Sequence, residues 1–288
     1  MASPTPFSVA SKVKLNNALF IPQIQLGVFL TSGKDTENAV RHSLNAGYLA
    51  IDSAESYANE RECGDAIRSW LESEDNIKGL QRKDLWFTSK VRHNTGYEAT
   101  RRSIKTGLEK SGMGYMDLYL LHSPHGGKAN RMECWNAVED AIADGEVLTG
   151  GVSNYGVRHL QELLDSNPKV KPAINQIEVH PFNTQTAITS FCEHHGIAIE
   201  AYCPLAQAMR FDHLKIVEPS QKYTCTPAQL FVRWSLQHGY IPLPRSIKQE
   251  RIVSNVDVAF FQINVADMLV MDGLDEHLVC DWDPTDVE

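Results

Sequence analysis

The chain has 288 residues, of which 42% are hydrophobic, enough for one large domain or two small ones. Its 27 basic and 36 acidic residues give a net charge of −9, which argues against non-specific binding to nucleic acid or to an anionic membrane. The N-terminal residues contain no apolar run resembling a signal peptide, and no run of about 20 apolar residues is present, so we predict a cytoplasmic protein.

Short apolar runs rich in β-formers alternate along the chain with segments of helical periodicity. Buried apolar strands that alternate with helical crossovers are typical of a parallel sheet. Eight such units predict an α/β fold, an eight-stranded parallel β/α (TIM) barrel, with a doubly wound open sheet as the alternative. The predicted strands are residues 23–28, 49–52, 85–89, 117–121, 148–153, 174–178, 197–201 and 240–243.

The ends of the chain add smaller elements to this single predicted domain of residues 1–288. Residues 7–11 and 12–17 predict a small hairpin that closes the bottom of the barrel. Residues 265–288 predict a C-terminal helix and a tail that forms a substrate loop.

Helix boundaries are marked by local signals. Residues 36–47 place apolar side chains on one helical face, as do residues 131–145. A third helix has Thr226 as N-cap, Pro227 in its first position and Gly239 just past its end.

The six cysteines are scattered without a C-x-x-C pair, which predicts reduced thiols. The run "CEHHG" at 192–196 invites a metal site. Histidines directly before a glycine are more typical of a helix C-terminus, so we predict no metal site.

Polar residues follow most of the strands at their C-terminal ends. A parallel barrel brings these ends to one face, where the active sites of such enzymes lie. A lone tyrosine or lysine there is usually a packing or surface residue, but the coincidence across seven strands favours a functional site. The residues are Asp52, Tyr57, Lys90, His122, Ser153, Asn154, Gln176, Glu178, Tyr202, Arg245 and Ser246.

Four of these residues predict proton donation. A tyrosine hydroxyl has a pKa of about 10, too high for a good proton donor at neutral pH. An ammonium group beside it lowers that pKa, and a carboxylate keeps the ammonium charged and oriented. Asp52, Lys90 and Tyr57 can form that chain, with His122 orienting a substrate carbonyl. The set protonates an oxygen that receives a hydride, so a nicotinamide cofactor must supply the hydride.

No G-x-G-x-x-G follows a strand, so the cofactor groups must come from the strand ends themselves. Amide and hydroxyl groups suit a carboxamide, a tyrosine ring suits nicotinamide stacking, and a basic helix start suits phosphate. The basic cluster in an acidic chain predicts the extra phosphate of NADP. The predicted cofactor residues are Ser153, Asn154, Gln176, Tyr202, Arg245, Ser246 and Arg251.

At these residues, and over nearly its whole length, the chain resembles the aldo-keto reductase superfamily. The similar motifs are "IDSAESYANERECG", "FTSKV", "LLHSP", "GVSN", "NQIEVHP", "YCPLA" and "LPRSIKQERIVSN". The resemblance implies an NADPH-dependent aldehyde or ketone reductase with Tyr57 as acid, Lys90 and Asp52 as its tuners and His122 as orienter. It also implies that Leu205 and Asn255 bind the cofactor.

The chain departs from the family pattern at several positions. Arg245 stands where many members have lysine, and Ser254 where glutamate often precedes Asn255. Near the expected substrate mouth, two common aromatic residues are replaced, which predicts a wider and more polar pocket. The predicted pocket residues are Phe29, Arg92, Ser123 and Trp282, and Arg210 is a candidate for the pyrophosphate but fits a solvated loop charge better.

Two alternatives remain open at this point. Lys90 ends a strand and could form a Schiff base, as in a lyase. The chain could instead be a non-catalytic regulatory subunit that binds NADPH. We favour a monomeric reductase of a small-molecule carbonyl substrate.

Overall fold

A computed structural model describes residues 7–288. Its first element is an antiparallel hairpin formed by β1 (Lys12–Lys14) and β2 (Phe20–Pro22). The hairpin was correctly predicted, and β1 lies within the strand predicted at residues 12–17, but the other strand was wrongly placed at residues 7–11. Residues 7–11 form a turn instead, closed by the bond from the Ser11 N–H to the Ser8 carbonyl at 2.9 Å. The chain reverses only after β1, where Ala18 takes a left-handed φ of 68°.

Eight parallel strands follow and are hydrogen-bonded in sequential order. The Gln25 N–H donates to the Pro242 carbonyl at 3.1 Å and the Gly27 N–H to the Pro244 carbonyl at 3.3 Å, so the last strand also meets the first. This arrangement confirms the predicted barrel and rules out the doubly wound order. The strands are β3 (Leu26–Gly27), β4 (Ala50–Asp52), β5 (Trp86–Val91), β6 (Met116–Leu121), β7 (Val147–Ser153), β8 (Ile174–Glu178), β9 (Ala198–Tyr202) and β10 (Ile241–Pro242).

Helices cover the outside of the strands. They are α1 (Gly33–Asn45), α2 (Glu60–Leu71), α3 (Tyr97–Ser111), α4 (Gly127–Ala143), α5 (Val157–Asp165), α6 (Thr186–His195), α7 (Leu214–Lys222), α8 (Pro227–Gln237), α9 (Gln249–Val256) and α10 (Val265–Asp272). Within residues 7–288, no helix has both the length and the apolar character needed to cross a membrane.

Two local predictions are confirmed. Helix α8 begins with a capping box, in which the Thr226 hydroxyl accepts the Gln229 N–H at 3.2 Å and the Gln229 side chain accepts the Thr226 N–H at 2.9 Å. Helix α6 ends at His195, and Gly196 follows it with a left-handed φ of 68°. All six cysteines are free thiols.

The barrel interior is divided into an apolar floor and a polar upper layer. Leu15 and Ile21 of the hairpin pack with apolar side chains from the lower parts of the strands, among them Leu118 and Ile174. Above this floor the interior side chains are polar and fully or almost fully buried: Gln25, Asp52, Lys90, Gln176 and Glu200. Buried polar groups need partners, so this layer is where a site is expected.

Helices α2 and α3 approach each other closely at Gly64. A Cβ atom at this position would lie 1.8 Å from the carbonyl oxygen of Ser111, so only glycine fits. This contact fixes α2 directly after the loop that carries the predicted catalytic tyrosine.

We expect Gly64→Ala to lower the free energy of unfolding by about 1–3 kcal/mol, because the added methyl group overpacks the α2–α3 contact. Chemical denaturation followed by circular dichroism measures the effect. Gly273→Ala is the matched control, since its Cβ atom would meet nothing closer than 3.5 Å. Equal stability of the two variants would contradict the proposed contact.

Candidate active site

A buried ion pair lies at the centre of the upper layer. Lys90, in β5, is fully buried, and its Nζ donates to Asp52 Oδ2 at the end of β4 at 2.7 Å. The same nitrogen donates to the Ser53 carbonyl at 2.8 Å. Parallel pairing of β4 with β5 sets Asp52 opposite Thr88, and Lys90, two residues further along β5, points to the same face of the sheet.

The third group is Tyr57, whose hydroxyl lies 3.4 Å from Lys90 Nζ. It ends a short 3₁₀ turn, Glu55–Tyr57, and Ala58 then reverses the chain with a left-handed φ of 56°. Asn59 fixes this loop, because its side chain donates to the Val28 carbonyl at 2.9 Å. An acid and a tyrosine five residues apart therefore meet the same ammonium group.

Burial determines the proton affinities of Lys90 and Tyr57. Desolvation, the largest single effect, opposes the charge on Lys90, but the combined attraction of Asp52, Tyr57 and Glu200 exceeds it and the lysine pKa is raised. Desolvation also raises the pKa of Tyr57 to about 12, although the Lys90 charge lowers it. The prediction that Tyr57 has a lowered pKa is therefore wrong in its net direction, because removal from water exceeds the effect of the ammonium group.

His122 follows β6 and lies beside the tyrosine. The ring centroids of Tyr57 and His122 are 5.7 Å apart in an edge-on arrangement, and His122 Nδ1 is 3.4 Å from Ser56 Oγ. Burial, together with the charge of Lys90, lowers the histidine pKa to about 3. His122 is thus neutral near pH 7 and can donate or accept one hydrogen bond without carrying charge.

A second buried carboxylate, Glu200 in β9, extends this network. Gln176 Nε2 donates to Asp52 Oδ1 at 2.9 Å and to Glu200 Oε2 at 2.7 Å, and Gln25 Nε2 donates to Glu200 Oε1 at 2.6 Å. No motif marks Gln25 and Glu200 as site residues. Their signal in the sequence is a polar residue inside an apolar strand run, "QIQLGV" and "IAIEA".

The residues predicted for the nicotinamide lie together at the ends of β7, β8 and β9. Ser153 Oγ donates to the Gln176 carbonyl at 2.9 Å, and Asn154 Nδ2 donates to the His122 carbonyl at 3.0 Å. Asn154 Oδ1 accepts the Tyr202 hydroxyl at 2.8 Å. Since both hydrogens of the Gln176 amide bind carboxylates, its Oε1 is the group left to accept from a carboxamide. The set therefore fits a nicotinamide, with Gln176 acting as acceptor.

The residues predicted for the phosphates lie in two places: Arg245 and Ser246 between β10 and α9, and Arg251 and Asn255 within α9. Arg245 and Arg251 are exposed, and Ser246 and Asn255 are buried. The Arg245 guanidinium donates to a backbone carbonyl at 2.6 Å, whereas Arg251 forms no ion pair with any residue in the range 7–288. Exposed guanidinium groups beside the start of a helix fit an anionic phosphate.

Two further predicted residues lie near the loop after β9. Leu205 is half-buried against the core. Arg210 is paired with Glu276 through a 2.7 Å contact, so it is engaged with the C-terminal segment rather than free in solvent.

The predicted substrate residues lie around the mouth of this site. Phe29 is 40% exposed and its ring centroid is 5.0 Å from that of Tyr57. Trp282 is 41% exposed and stacks on His125 at a centroid distance of 5.6 Å. Arg92 is exposed, whereas Ser123 is buried. Phe29 and Trp282 are therefore the accessible aromatic walls.

The tail that carries Trp282 is held by the barrel through backbone groups. Glu178, at the end of β8, accepts the N–H of Cys280 at 2.7 Å and that of Asp281 at 3.2 Å. The Tyr202 hydroxyl also contacts the Trp282 carbonyl, at 2.7 Å. The tail thus begins at the same strand ends that form the site.

Comparison with known proteins identifies the group to which this arrangement belongs. Residues 29–276 match the profile described as "Aldo/keto reductase family". The chain belongs to this family. It is 42% identical over 276 residues to an uncharacterized oxidoreductase of Schizosaccharomyces pombe, covering 96% of this chain and 98% of that one.

Two other relatives add detail. A glyoxal reductase of Bacillus subtilis is 37% identical over 273 residues, with 94% and 95% of the two chains covered. The crystal structure of a Bombyx mori aldo-keto reductase in complex with NADP superposes with a TM-score of 0.87 at 27% identity, covering 94% of this chain and 95% of that one. The chain is therefore an oxidoreductase of the aldo-keto reductase family, whose members use a nicotinamide cofactor on small-molecule substrates.

The lowered pKa of His122 implies that the stability of the folded protein depends on pH. A folded-state pKa of about 3, below the value of the unfolded chain, means that the unfolded chain binds this proton more tightly. The contribution of His122 to the free energy of unfolding is fully present above about pH 6.5 and is lost as the pH falls towards 3.

We expect the stability advantage of wild type over His122→Gln to shrink when denaturation is measured at about pH 4.5 instead of about pH 7.5. His277→Gln controls for the loss of an imidazole at an exposed position, where the side chain is 92% exposed. An advantage that stays constant with pH would contradict the buried neutral state of His122.

Proposed function

We propose that the protein is an NADPH-dependent reductase of aldehydes or ketones, with Tyr57 as proton donor. The observation that carries the proposal is the buried Lys90 ammonium group, placed between Asp52 at 2.7 Å and the Tyr57 hydroxyl at 3.4 Å. Nothing in the apolar floor needs such an arrangement, and a barrel interior can be filled with apolar side chains alone.

The proposed chemistry assigns one task to each residue. His122, as a neutral imidazole, orients the carbonyl oxygen towards Tyr57. Ser153, Asn154 and Gln176 would hold the carboxamide of a nicotinamide, which would supply the hydride that the carbonyl carbon receives. As negative charge develops on the oxygen, Tyr57 transfers its proton to it, and Lys90 stabilises the resulting phenolate. Asp52 keeps the lysine charged and aimed. A tyrosine with a pKa of about 12 is still acidic enough to protonate an alkoxide.

The exposed guanidinium groups of Arg245 and Arg251, with the buried Ser246 between them, support NADP over NAD. Guanidinium groups bind phosphate through charge-assisted hydrogen bonds, and this cluster lies in a chain of net charge −9. Leu205 and Asn255 belong to the proposed cofactor contacts as well. A cytoplasmic monomer remains our prediction for the state of the protein.

Two other functions fit the site less well. A Schiff-base lysine needs a lowered pKa and access to substrate, whereas the pKa of Lys90 is raised and its side chain is fully buried. Borohydride trapping of a carbonyl substrate tests this alternative. A non-catalytic NADPH-binding subunit has no use for the Tyr57–Lys90–Asp52 arrangement, and measurable turnover distinguishes it from a reductase.

Phe29 and Trp282 are accessible to a substrate, since they are 40% and 41% exposed. Glyoxal is the first compound to assay, because one relative at 37% identity is named glyoxal reductase. The panel continues with simple aldehydes, α-keto esters and sugars, each with NADPH oxidation as the readout.

We expect Tyr57→Phe to lower kcat for carbonyl reduction by about 10²–10⁴-fold, because the proton donor is lost. NADPH affinity, measured by quenching of tryptophan fluorescence, should stay unchanged because the ring remains. Tyr97→Phe is the matched control, since its hydroxyl bonds Asp140 on the outside of the barrel at 2.8 Å. Turnover of Tyr57→Phe at the wild-type rate would refute the assignment.

We expect Arg251→Ala to weaken NADPH binding by about 10- to 100-fold, because a charge-assisted contact to phosphate is lost. NADH binding should change by less than about threefold, since NADH lacks that phosphate. The measurement is the same fluorescence titration, with Arg102→Ala on α3 as an exposed control. Equal weakening of both cofactors would show that the phosphate site lies elsewhere.

A further inference from the structure

Glu200 has no task in the proposed mechanism, although it is fully buried at the centre of the barrel. Its two oxygens accept from Gln25 at 2.6 Å and from Gln176 at 2.7 Å. Through Gln176 the chain of hydrogen bonds continues to Asp52, then to Lys90. Glu200 is therefore connected to the group that controls Tyr57 without touching substrate or cofactor.

The charged groups around Glu200 favour its protonated form. Asp52 comes from β4 and Lys90 from β5, while Gln176 of β8 is neutral and Ile241 pairs with Glu200 from β10. The layer thus holds two carboxyl groups and one ammonium group. Because Lys90 bonds directly to Asp52, Asp52 keeps the negative charge and Glu200 is the acid that takes up a proton. Burial, followed by the charge of Asp52, raises the pKa of Glu200 to about 7.

The structure provides an acceptor for that proton. Gln25 Oε1 is buried and has no hydrogen-bond partner in the described part of the chain. A half-turn of the Gln25 amide places this oxygen against Glu200 Oε1. Gln25 can therefore serve either form of Glu200, as acceptor for the acid and as donor for the carboxylate.

We propose that Glu200 is a proton-exchanging positioning residue, which acts through Gln176 and Asp52 on Lys90 and thereby sets how readily Tyr57 gives up its proton. With Glu200 protonated, Lys90 and Asp52 form a neutral pair beside Tyr57. With Glu200 ionised, a second negative charge in the barrel interior disfavours the phenolate. Carbonyl reduction therefore slows as Glu200 loses its proton. The inference rests on the proposed reductase function.

Glu200→Gln tests the inference, because glutamine is a neutral isostere of the protonated acid. In wild type we expect kcat to fall by roughly three- to tenfold as the pH rises from about 6 to about 8, the size expected for one added charge in a partial proton transfer. In Glu200→Gln this step is absent, the two proteins converge at the acidic end, and the substrate KM is unchanged. Glu200→Asp retains a carboxyl group, so its kcat should again fall with rising pH, unlike that of Glu200→Gln.

Glu139→Gln is the matched control, since Glu139 is also a buried glutamate but lies in α4, outside the barrel interior, where it accepts the Val170 N–H at 2.9 Å. It should retain the wild-type step. Parallel pH profiles of wild type and Glu200→Gln would overturn the inference, whereas absence of carbonyl reduction in wild type would overturn the proposed function itself.

A second readout does not need turnover. Infrared difference spectra of the protein between about pH 6 and about pH 8 report the C=O stretch of a protonated carboxyl group. We expect a band that disappears on going to the higher pH in wild type and in Glu139→Gln and that is missing from Glu200→Gln. If no such band is found in wild type, Glu200 does not exchange a proton in this range and the inference fails, even if Glu200→Gln does not fold.

Discussion

The site depends on one buried ion pair, between Lys90 and Asp52 at 2.7 Å. Removing both charges from water is costly, and the attraction between them offsets that cost only when the remaining hydrogen-bonding groups are also satisfied. Here the Ser53 carbonyl accepts from Lys90, and the Gln176 amide donates to Asp52. The polar layer above the apolar floor is thus a consequence of placing one ammonium group inside the barrel.

The pair also explains why the surrounding loop is so constrained. Tyr57 contributes only if its hydroxyl reaches a nitrogen that lies entirely beneath the surface. The left-handed turn at Ala58, the side-chain bonds of Asn59 and the close approach at Gly64 fix the loop and the helix after it. The geometry of the proton donor is therefore maintained by packing that extends well beyond the site.

Much of this could be predicted from the sequence, because the period of apolar runs determines strand and helix order and the strand ends determine the active face. One hairpin strand was misplaced because residues 7–11 are apolar enough to resemble a strand, while their backbone closes a turn. The sign of the Tyr57 pKa shift was missed because it depends on how much water burial removes, which only the folded structure reveals. Glu200 and Gln25 were not predicted as site residues because each is a single polar residue within an otherwise apolar strand.

The C-terminal tail is attached to the barrel through its backbone, so the attachment does not depend on the side chains at positions 281 and 282. Glu178 binds the backbone N–H groups of Cys280 and Asp281, and Tyr202 contacts the backbone carbonyl of Trp282. Every residue except proline offers these same backbone groups. The side chains at 281 and 282 can therefore be exchanged while the attachment is retained. This makes the tail a natural place to redesign substrate preference without changing the catalytic residues.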